Sequence, residues 1–284
     1  MVDIYFFFVQ NRQMPGKLKS IKSLKQLLIP VLVVFAIGLA FFSGTLWQKV
    51  KNFEKGGAAG TTTPQQAAAP APAKPTVSMD LIKGLFDKDL IKIGDKNRKV
   101  IFVEISDPSC PYCHVAAGLD STLNSQMGAQ FKLVSDGGTY VAPVAEMKKL
   151  VDAGKASFVW IYSPGHGSGE MGTKAFYCAN EKGKFWQVHD LVMTQKGYDL
   201  LNNTIKNDKT KSGDIAAFLK NAIDPAFMKE CLDSGKYDAR LTSDVQIATT
   251  LGYQGTPDFF VNATNFAGAY SYTDMKSAVD SALK

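Results

Sequence analysis

Residues 99–114 read KVIFVEISDPSCPYCH, and the succession of residue types in that stretch decides which fold can hold it. Lys99 to Ser106 is a β-branched and aromatic run, the composition of a buried strand. Asp107-Pro108-Ser109 turns the chain. Cys110 and Cys113 follow with two residues between them, and VAAGLDSTLNSQM after His114 reads as a helix. Two thiols therefore stand where a strand gives way to a helix. Pro111 takes an early helical position, where its missing N–H costs little.

A dithiol exchanges disulfides by attack of a thiolate on sulfur, so one cysteine must ionise near neutral pH. Cys110 precedes the helix, where backbone N–H groups favour negative charge; Cys113, one turn on, is placed to close or reopen a disulfide with it. Pro111, Tyr112 and His114 are the residues expected to tune the pair, His114 by adding positive charge when protonated. The competing reading is a zinc-bound or buried C-x-x-C. Zinc needs further ligands at matching spacing, and no second C-x-x-C exists, so neither a metal nor a cofactor is expected. Glu104 lies six residues before Cys110 on the apolar strand. It is either an ordinary residue turned to solvent or a buried acid able to exchange a proton with Cys113.

Working outward, Thr256–Asn262 (TPDFFVN) reads as a strand opening at a proline, Asn265–Tyr270 as its short partner, and Thr273–Leu283 as a helix capped by Thr273. A strand, C-x-x-C and helix at one end and a strand, strand and helix at the other are the two halves of a thioredoxin fold. The stretch between them, about 140–250, is far longer than that fold requires. Helical patterns cover 144–153, 172–180, 185–193, 211–221, 225–232 and 237–251. FVWIY at 158–162 is the strong strand among them, expected to pair in parallel with 99–106. The fold class is therefore α/β, a thioredoxin fold with an inserted helical subdomain. His189 in WQVHD reads as a packing and capping residue, and His166 in a Gly-rich loop as solvated.

Charge separates the chain into parts. Residues 1–55 hold eight Lys and Arg against two acids, while 77–284 hold 23 basic and 24 acidic residues, a net of −1. The overall +6 thus belongs to the N-terminal end, and a nucleic-acid partner is not expected. Leu27–Trp47 is a run of 21 uncharged residues, the length of a membrane-spanning helix. The basic residues of 1–26 favour that end in the cytoplasm. The competing reading is a cleaved signal peptide, whose apolar core is shorter; no A-x-A-like site follows closely. Met14 would open a cleaner signal-anchor than Met1 does. Residues 48–76 form a linker. Its 56–76 stretch, GGAAGTTTPQQAAAPAPAKPT, holds no aliphatic residue larger than Ala and could extend roughly 70 Å. The expected organisation is a cytoplasmic N-terminus, a single-pass anchor, a tether, and a folded domain at 77–284 on the extracytoplasmic side.

Three stretches together, ISDPSCPYCH at 105–114, KAFYCANEKGKFWQVHD at 174–190 and GYQGTPDFFVNATNFAGAYSYTDMKSAV at 252–279, resemble the DsbA-like thiol–disulfide oxidoreductases of the bacterial cell envelope. The resemblance spans essentially 77–284. It implies that Pro257 is cis and faces the cysteine pair, and that Thr256 offers its backbone to an extended client peptide. It also implies that Glu104 is the buried acid of the family, and that Cys178 and Cys231 form a structural disulfide, against the alternative of two free thiols. The segment 128–156 and the SPGHGSGE loop at 163–170 depart from the pattern. The implied partners are reduced or unfolded secreted proteins and an envelope redox partner that recycles the dithiol, with the enzyme monomeric. Three functions stay open: an oxidase, an isomerase or reductase on the same fold, and a binding domain with a vestigial motif.

Overall fold

The computed structural model describes residues 77–284; the basic N-terminus, the 27–47 run and the 48–76 linker lie outside the described residues. Among the described residues no helix is long and apolar enough to cross a membrane.

The chain opens with α1 (Met79–Gly84), whose Ser78 cap accepts from the Leu81 N–H, and a short edge strand β1 (Ile91–Ile93). Strand β2 (Val100–Ser106) follows, then α2 (Pro111–Ala117), α3 (Ser121–Gln126), α4 (Pro143–Asp152) and β3 (Ala156–Tyr162). Six helices come next: α5 (Glu170–Glu181), α6 (Phe185–Val192), α7 (Gln195–Asp199), α8 (Ser212–Phe218), α9 (Pro225–Asp233) and α10 (Asp238–Thr250), with a π-helical turn at Leu200–Ile205. Strands β4 (Asp258–Val261) and β5 (Thr264–Ala267) and helix α11 (Tyr272–Leu283) close the domain.

The sheet runs β1-β3-β2-β4-β5, with β2 and β3 parallel and the other pairs antiparallel. All seven residues of β2 are buried, as are all seven of β3, which is why both read as unbroken apolar runs rather than alternating ones. Ile101, Val103 and Ile105 pack with Ile82, Leu85, Ala248 and Leu251 under α1 and α10. Phe102 and Glu104 take the opposite face. There Phe102 packs with Phe158, Trp160, Phe259 and the helices that carry Cys113, Met147, Phe176 and Phe185. Each such buried side chain contributes roughly 1.5–3 kcal/mol. Helices α2, α3 and α4 make up the connection between the parallel strands β2 and β3, with α4 leading into β3. The stretch 140–250 thus includes one crossover helix and one strand of the frame, and its remaining helices gather after β3.

Three sequence expectations are corrected. The helix after the C-x-x-C does not run on to residue 126: Gly118 ends α2 in the left-handed region at φ 71°, and Asp120 caps a separate α3. A Cβ at position 118 would also fall 2.3 Å from Ala142 Cβ, so glycine is required there twice over. Helix α11 is capped by Ser271, not Thr273, because Ser271 and Asp274 form a reciprocal capping box. The partner strand expected at 265–270 is the shorter Thr264–Ala267. Neither α1 nor β1 is legible as a pattern, each being under two turns or four residues long.

Candidate active site

Strand β2 delivers the chain at Ser106 to a turn organised by Asp107, which is fully buried. Its Oδ1 accepts from the Ser109 N–H and hydroxyl, both at 2.7 Å. Its Oδ2 accepts from the N–H groups of Gly165 and His166, at 2.7 and 2.9 Å. One carboxylate therefore shapes the turn into α2 and fastens the 163–170 loop over it. Gly165 must be glycine: a Cβ there would lie 1.9 Å from Thr256 Oγ1 and 3.5 Å from Cys110 Cβ. Asn202 adds a bond from its amide to Ser109 O, 3.1 Å.

Cys110 occupies the N-cap of α2 in extended conformation, with Pro111 at the first helical position. Its Sγ lies 3.3 Å from the carbonyl oxygen of Thr256, and the Thr256–Pro257 peptide bond is cis. The Thr256 N–H has no hydrogen-bond partner among the described residues. Cys113 has no exposed surface and accepts from the Asp107 N–H at 3.5 Å. Cys110 is less open than its helix-start position suggests, at 4% exposure, because Thr256 and the 163–170 loop cover it.

The two thiols have divergent acidities. The Cys113 S–H is the largest influence on Cys110; with the Thr256 contact and the backbone N–H groups of Cys113 and Tyr112 it outweighs burial, and the Cys110 pKa falls to about 6. Burial, then the neighbouring Cys110 sulfur, pushes Cys113 well above the ordinary thiol range. The sequence had pointed to the helix start; the partner thiol contributes more.

Glu104 points inward: it is fully buried, between Trp160 of β3 and Phe259 of β4 in register, and its carboxyl oxygens have no hydrogen-bond partner. Burial raises its pKa, opposed by the charge of His189 and by the Ser106 hydroxyl. The expectation that His114 supplies positive charge is corrected. His114 is fully buried, its ring nitrogens lie 3.0 Å from Met193 O and 2.9 Å from Pro108 O, and burial lowers its pKa to about 4. It is a neutral brace between α2 and the end of α6. Pro111 is buried, whereas Tyr112 is 43% exposed and meets Phe131 edge-on at 5.7 Å.

Cys178 of α5 and Cys231 of α9 are joined in a disulfide, Cα–Cα 6.1 Å. Together with Glu181 they are the closest set of possible metal donors among the described residues, but both sulfurs are already bonded. His189 is buried in an aromatic cluster with Phe176, Phe185 and Trp186. The backbone of His166 serves Asp107. Sequence reasoning missed Asp107, Gly165 and Asn202. Asp107 stood in a recognisable turn, but its donors lie 58 and 59 residues away, which no local pattern signals.

Residues 143–281 match the family model described as thioredoxin. A Rickettsia conorii protein assigned by name as a protein-disulfide oxidoreductase is 26% identical over 199 residues, covering 70% of this chain and 61% of that one. A Salinispora tropica protein named Na(+)/H(+) antiporter NhaA 3 is 26% identical over 201 residues, covering 69% of this chain and 25% of that one. The chain thus spans a quarter of the antiporter and about three fifths of the rickettsial protein. Among solved structures, Wolbachia pipientis alpha-DsbA1 aligns with TM-score 0.52 and 18% identity, covering 72% of this chain and 96% of that one. Oxidised BdbD from Bacillus subtilis aligns with TM-score 0.50 and 19% identity, covering 74% and 97%. At these identities the solved structures share the fold. The chain has a thioredoxin-like α/β fold with a mixed sheet and a helical insertion.

Proposed function

We propose that this chain is a DsbA-type thiol–disulfide oxidoreductase that oxidises cysteine pairs in secreted or envelope proteins, outside the cytoplasm and tethered through residues 27–76. The observation that carries the reading is the split pair at the end of β2: Cys110 with a pKa near 6 beside Thr256 and its cis bond to Pro257, and Cys113 held protonated one turn later.

Starting from a Cys110–Cys113 disulfide, a client thiolate attacks Cys110 Sγ. The enzyme's S–S bond breaks, a client–Cys110 disulfide forms, and Cys113 leaves and takes the proton of Glu104. The client's second thiolate then attacks its own sulfur in the mixed disulfide and Cys110 leaves as a thiolate. Two electrons have passed from the client, now disulfide-bonded, to the enzyme dithiol, which an envelope redox partner must reoxidise. The Thr256 N–H and C=O supply strand-like pairing to a client without reading its side chains. Stabilising the Cys110 thiolate stabilises the reduced form, which favours an oxidant over a reductase. The Cys178–Cys231 bridge supports an oxidising compartment. A folded domain with net charge −1 supports protein clients rather than nucleic acid. The tether supports a monomer that ranges over many clients.

The deciding measurement is the reduction potential of the Cys110/Cys113 couple, with oxidation of a reduced two-cysteine peptide as the activity. A value near about −120 mV with stoichiometric peptide oxidation is expected; about −270 mV would make the protein a reductant instead.

A further inference from the structure

Between α7 and α8 the chain leaves the α-helical pattern. Leu200–Ile205 is a π-helical turn, closed by the Lys206 N–H on Leu201 O, five residues back, at 2.9 Å. Lys206 and Asn207 then both take left-handed backbone angles, at φ 48° and 63°. A turn of this kind holds one residue more than an α-turn and occurs most often at functional sites. A left-handed lysine costs free energy that its surroundings must offset. Packing calls for neither feature. The buried Leu201 and Ile205 are four residues apart, a spacing that a regular α-turn serves as well.

What the turn does reach is Cys110, from two sides. Asn202 donates from Nδ2 to Ser109 O and to Tyr198 O, both at 3.1 Å. Ser109 is fully buried, and no backbone N–H among the described residues is bonded to its carbonyl, so this amide is what satisfies it. The other edge of the same peptide, the Cys110 N–H, donates to Asp107 O at 2.9 Å. The plane that carries Cys110 into α2 is thus held at both edges. Asn207 works on the covering loop. Its Nδ2 donates to Gly167 O at 2.8 Å, and its Oδ1 accepts from the Met171 N–H at 3.4 Å. Leu201 packs on the turn itself: a Cβ at Gly172 would lie 2.8 Å from Leu201 Cδ1 and 3.1 Å from Pro108 Cγ. Tyr198, just ahead, meets the His114 ring edge-on at 5.0 Å.

We propose that this π-helical turn is the positioning element of the nucleophile: Asn202 fixes the Ser109–Cys110 peptide and Asn207 fixes the 163–170 loop, together holding the Cys110 sulfur at the start of α2 and against Thr256. This rests on the exchange reaction given above. Neither asparagine is bonded to a sulfur; each acts through the backbone it holds. The extra residue of the turn now has a reason. Removing it would rotate Asn207 by about 100° around the helix axis relative to Asn202, and one of the two amides would leave the site. Asn203, exposed on the same turn, bonds back to Asp199 at 3.3 Å and serves as the control.

The test uses the reduced protein, its ultraviolet thiolate absorbance, and an aromatic disulfide that releases a coloured thiolate in single turnover. In the first phase the Cys110 thiolate attacks one sulfur, forming a mixed disulfide and releasing one aryl thiolate. In the second, Cys113 gives its proton to Glu104, attacks Cys110 Sγ and releases the other. Asn202→Leu, similar in size and unable to donate, should raise the thiolate midpoint above 6 and lower the ionisation constant about fivefold, the effect of one hydrogen bond. The first phase should slow several-fold at about pH 5.5 and keep its rate at about pH 8.5, where the thiolate is formed in both proteins. A general loss of stability would not give that pH profile. Asn207→Gly keeps the left-handed backbone and removes the amide. It should shift the midpoint the same way to a smaller degree, and it decides the matter where N202L does not fold. Asn203→Ala should titrate as the wild type does. Wild-type midpoints in N202L and N207G, or an equal shift in N203A, would overturn the positioning role and leave exchange at Cys110 and Cys113 standing. A wild-type protein that releases no aryl thiolate would remove the exchange reaction, and the positioning role with it.

Discussion

The domain holds two cysteine pairs that face opposite fates. Cys178 and Cys231 lie 53 residues apart in sequence, on α5 and α9, and are bridged; Cys110 and Cys113 are three apart, on one turn, and are free. All four are buried. What separates them is the company each keeps. The bridge sits among helices that have no other covalent tie, and it closes a long loop. The free pair sits at the end of β2 against the Thr256 carbonyl and the Asp107 N–H. Cysteine burial does not distinguish a structural thiol from a reactive one; the polar atoms within reach of the sulfur do.

Removing members of each pair should separate the two roles most sharply. Cys110→Ser is expected to reduce disulfide exchange to background while leaving the denaturant midpoint of the reduced protein nearly unchanged below pH 6, where Cys110 is protonated in both states. The Cys178→Ala/Cys231→Ala double variant should retain exchange at 25 °C. It should lose about 4 kcal/mol of stability, the chain-entropy value for a closed loop of 54 residues, counting both ends of the 53-residue separation. Urea unfolding with turnover measured on both proteins checks this. Exchange lost in the double variant, or kept in C110S, would reverse the assignment of the pairs.

The pH dependence gives the next largest effect. With its pKa lowered from 9.0 to about 6 in the fold, Cys110 adds stability to the reduced protein that is fully present above pH 9 and lost as pH falls through 6. The oxidised protein has no such group. The stability difference between reduced and oxidised forms should therefore shift toward the reduced form as pH rises from 6 to 9. Ultraviolet thiolate absorbance should titrate with a midpoint near 6, with Cys113 still protonated. A single midpoint near 8.5 for both thiols would abolish the asymmetry.

The frame was legible because its signals are local and strong. KVIFVEIS and FVWIY could only be buried strands, and the C-x-x-C lay between a strand and a proline-started helix. The helices of the insert were legible for the same reason, each carrying its own periodicity. What escaped was set by distant contact or by a single backbone angle. Gly118 looked like an ordinary interior residue of a helix until its left-handed φ broke that helix. His114 looked like a charge donor until burial made it neutral. Asp107 reads as a turn residue, and its hold on Gly165 and His166 depends on how β3 returns beside β2.

That hold can be tested at Gly165. Gly165→Ala places a methyl group where Thr256 Oγ1 now sits, so the loop or Thr256 must move. The expected cost is about 1–3 kcal/mol in stability, as for other overpacked positions. With the Thr256 hydroxyl displaced from Cys110, the thiolate midpoint should rise above 6. The variant belongs wholly to the free pair and should leave the bridge intact. Non-reducing peptide mapping together with thiolate titration checks both halves. An unchanged midpoint would mean that the loop only covers the site and does not set its chemistry.

The smallest effect concerns the acid beside the bridged pair. Glu181 Oε1 lies 3.5 Å from Cys231 Sγ, so the bridged pair has a carboxylate neighbour, while Glu104 lies on the strand that leads to the free pair. The two acids differ in what surrounds them. Glu104 has no exposed surface and no hydrogen-bond partner. Glu181 is a third exposed, accepts from Tyr237 Oη at 2.7 Å and pairs with Lys236 at 2.6 Å. Burial pushes Glu181 up, but Lys236 and Tyr237 together prevail and hold it below the usual carboxylate range. Its contribution is therefore present at neutral pH and fades as pH falls through the carboxylate range. Screened by solvent, it should be worth less than about 1 kcal/mol. Glu181→Gln should accordingly shift the urea midpoint slightly at pH 7 and less still at pH 3, and leave both phases of single-turnover exchange unchanged. A slowed second phase in E181Q would show that proximity of an acid to sulfur is enough to affect the chemistry. The contrast between a buried, unpartnered carboxyl and an exposed, paired one would then no longer account for which cysteine pair reacts.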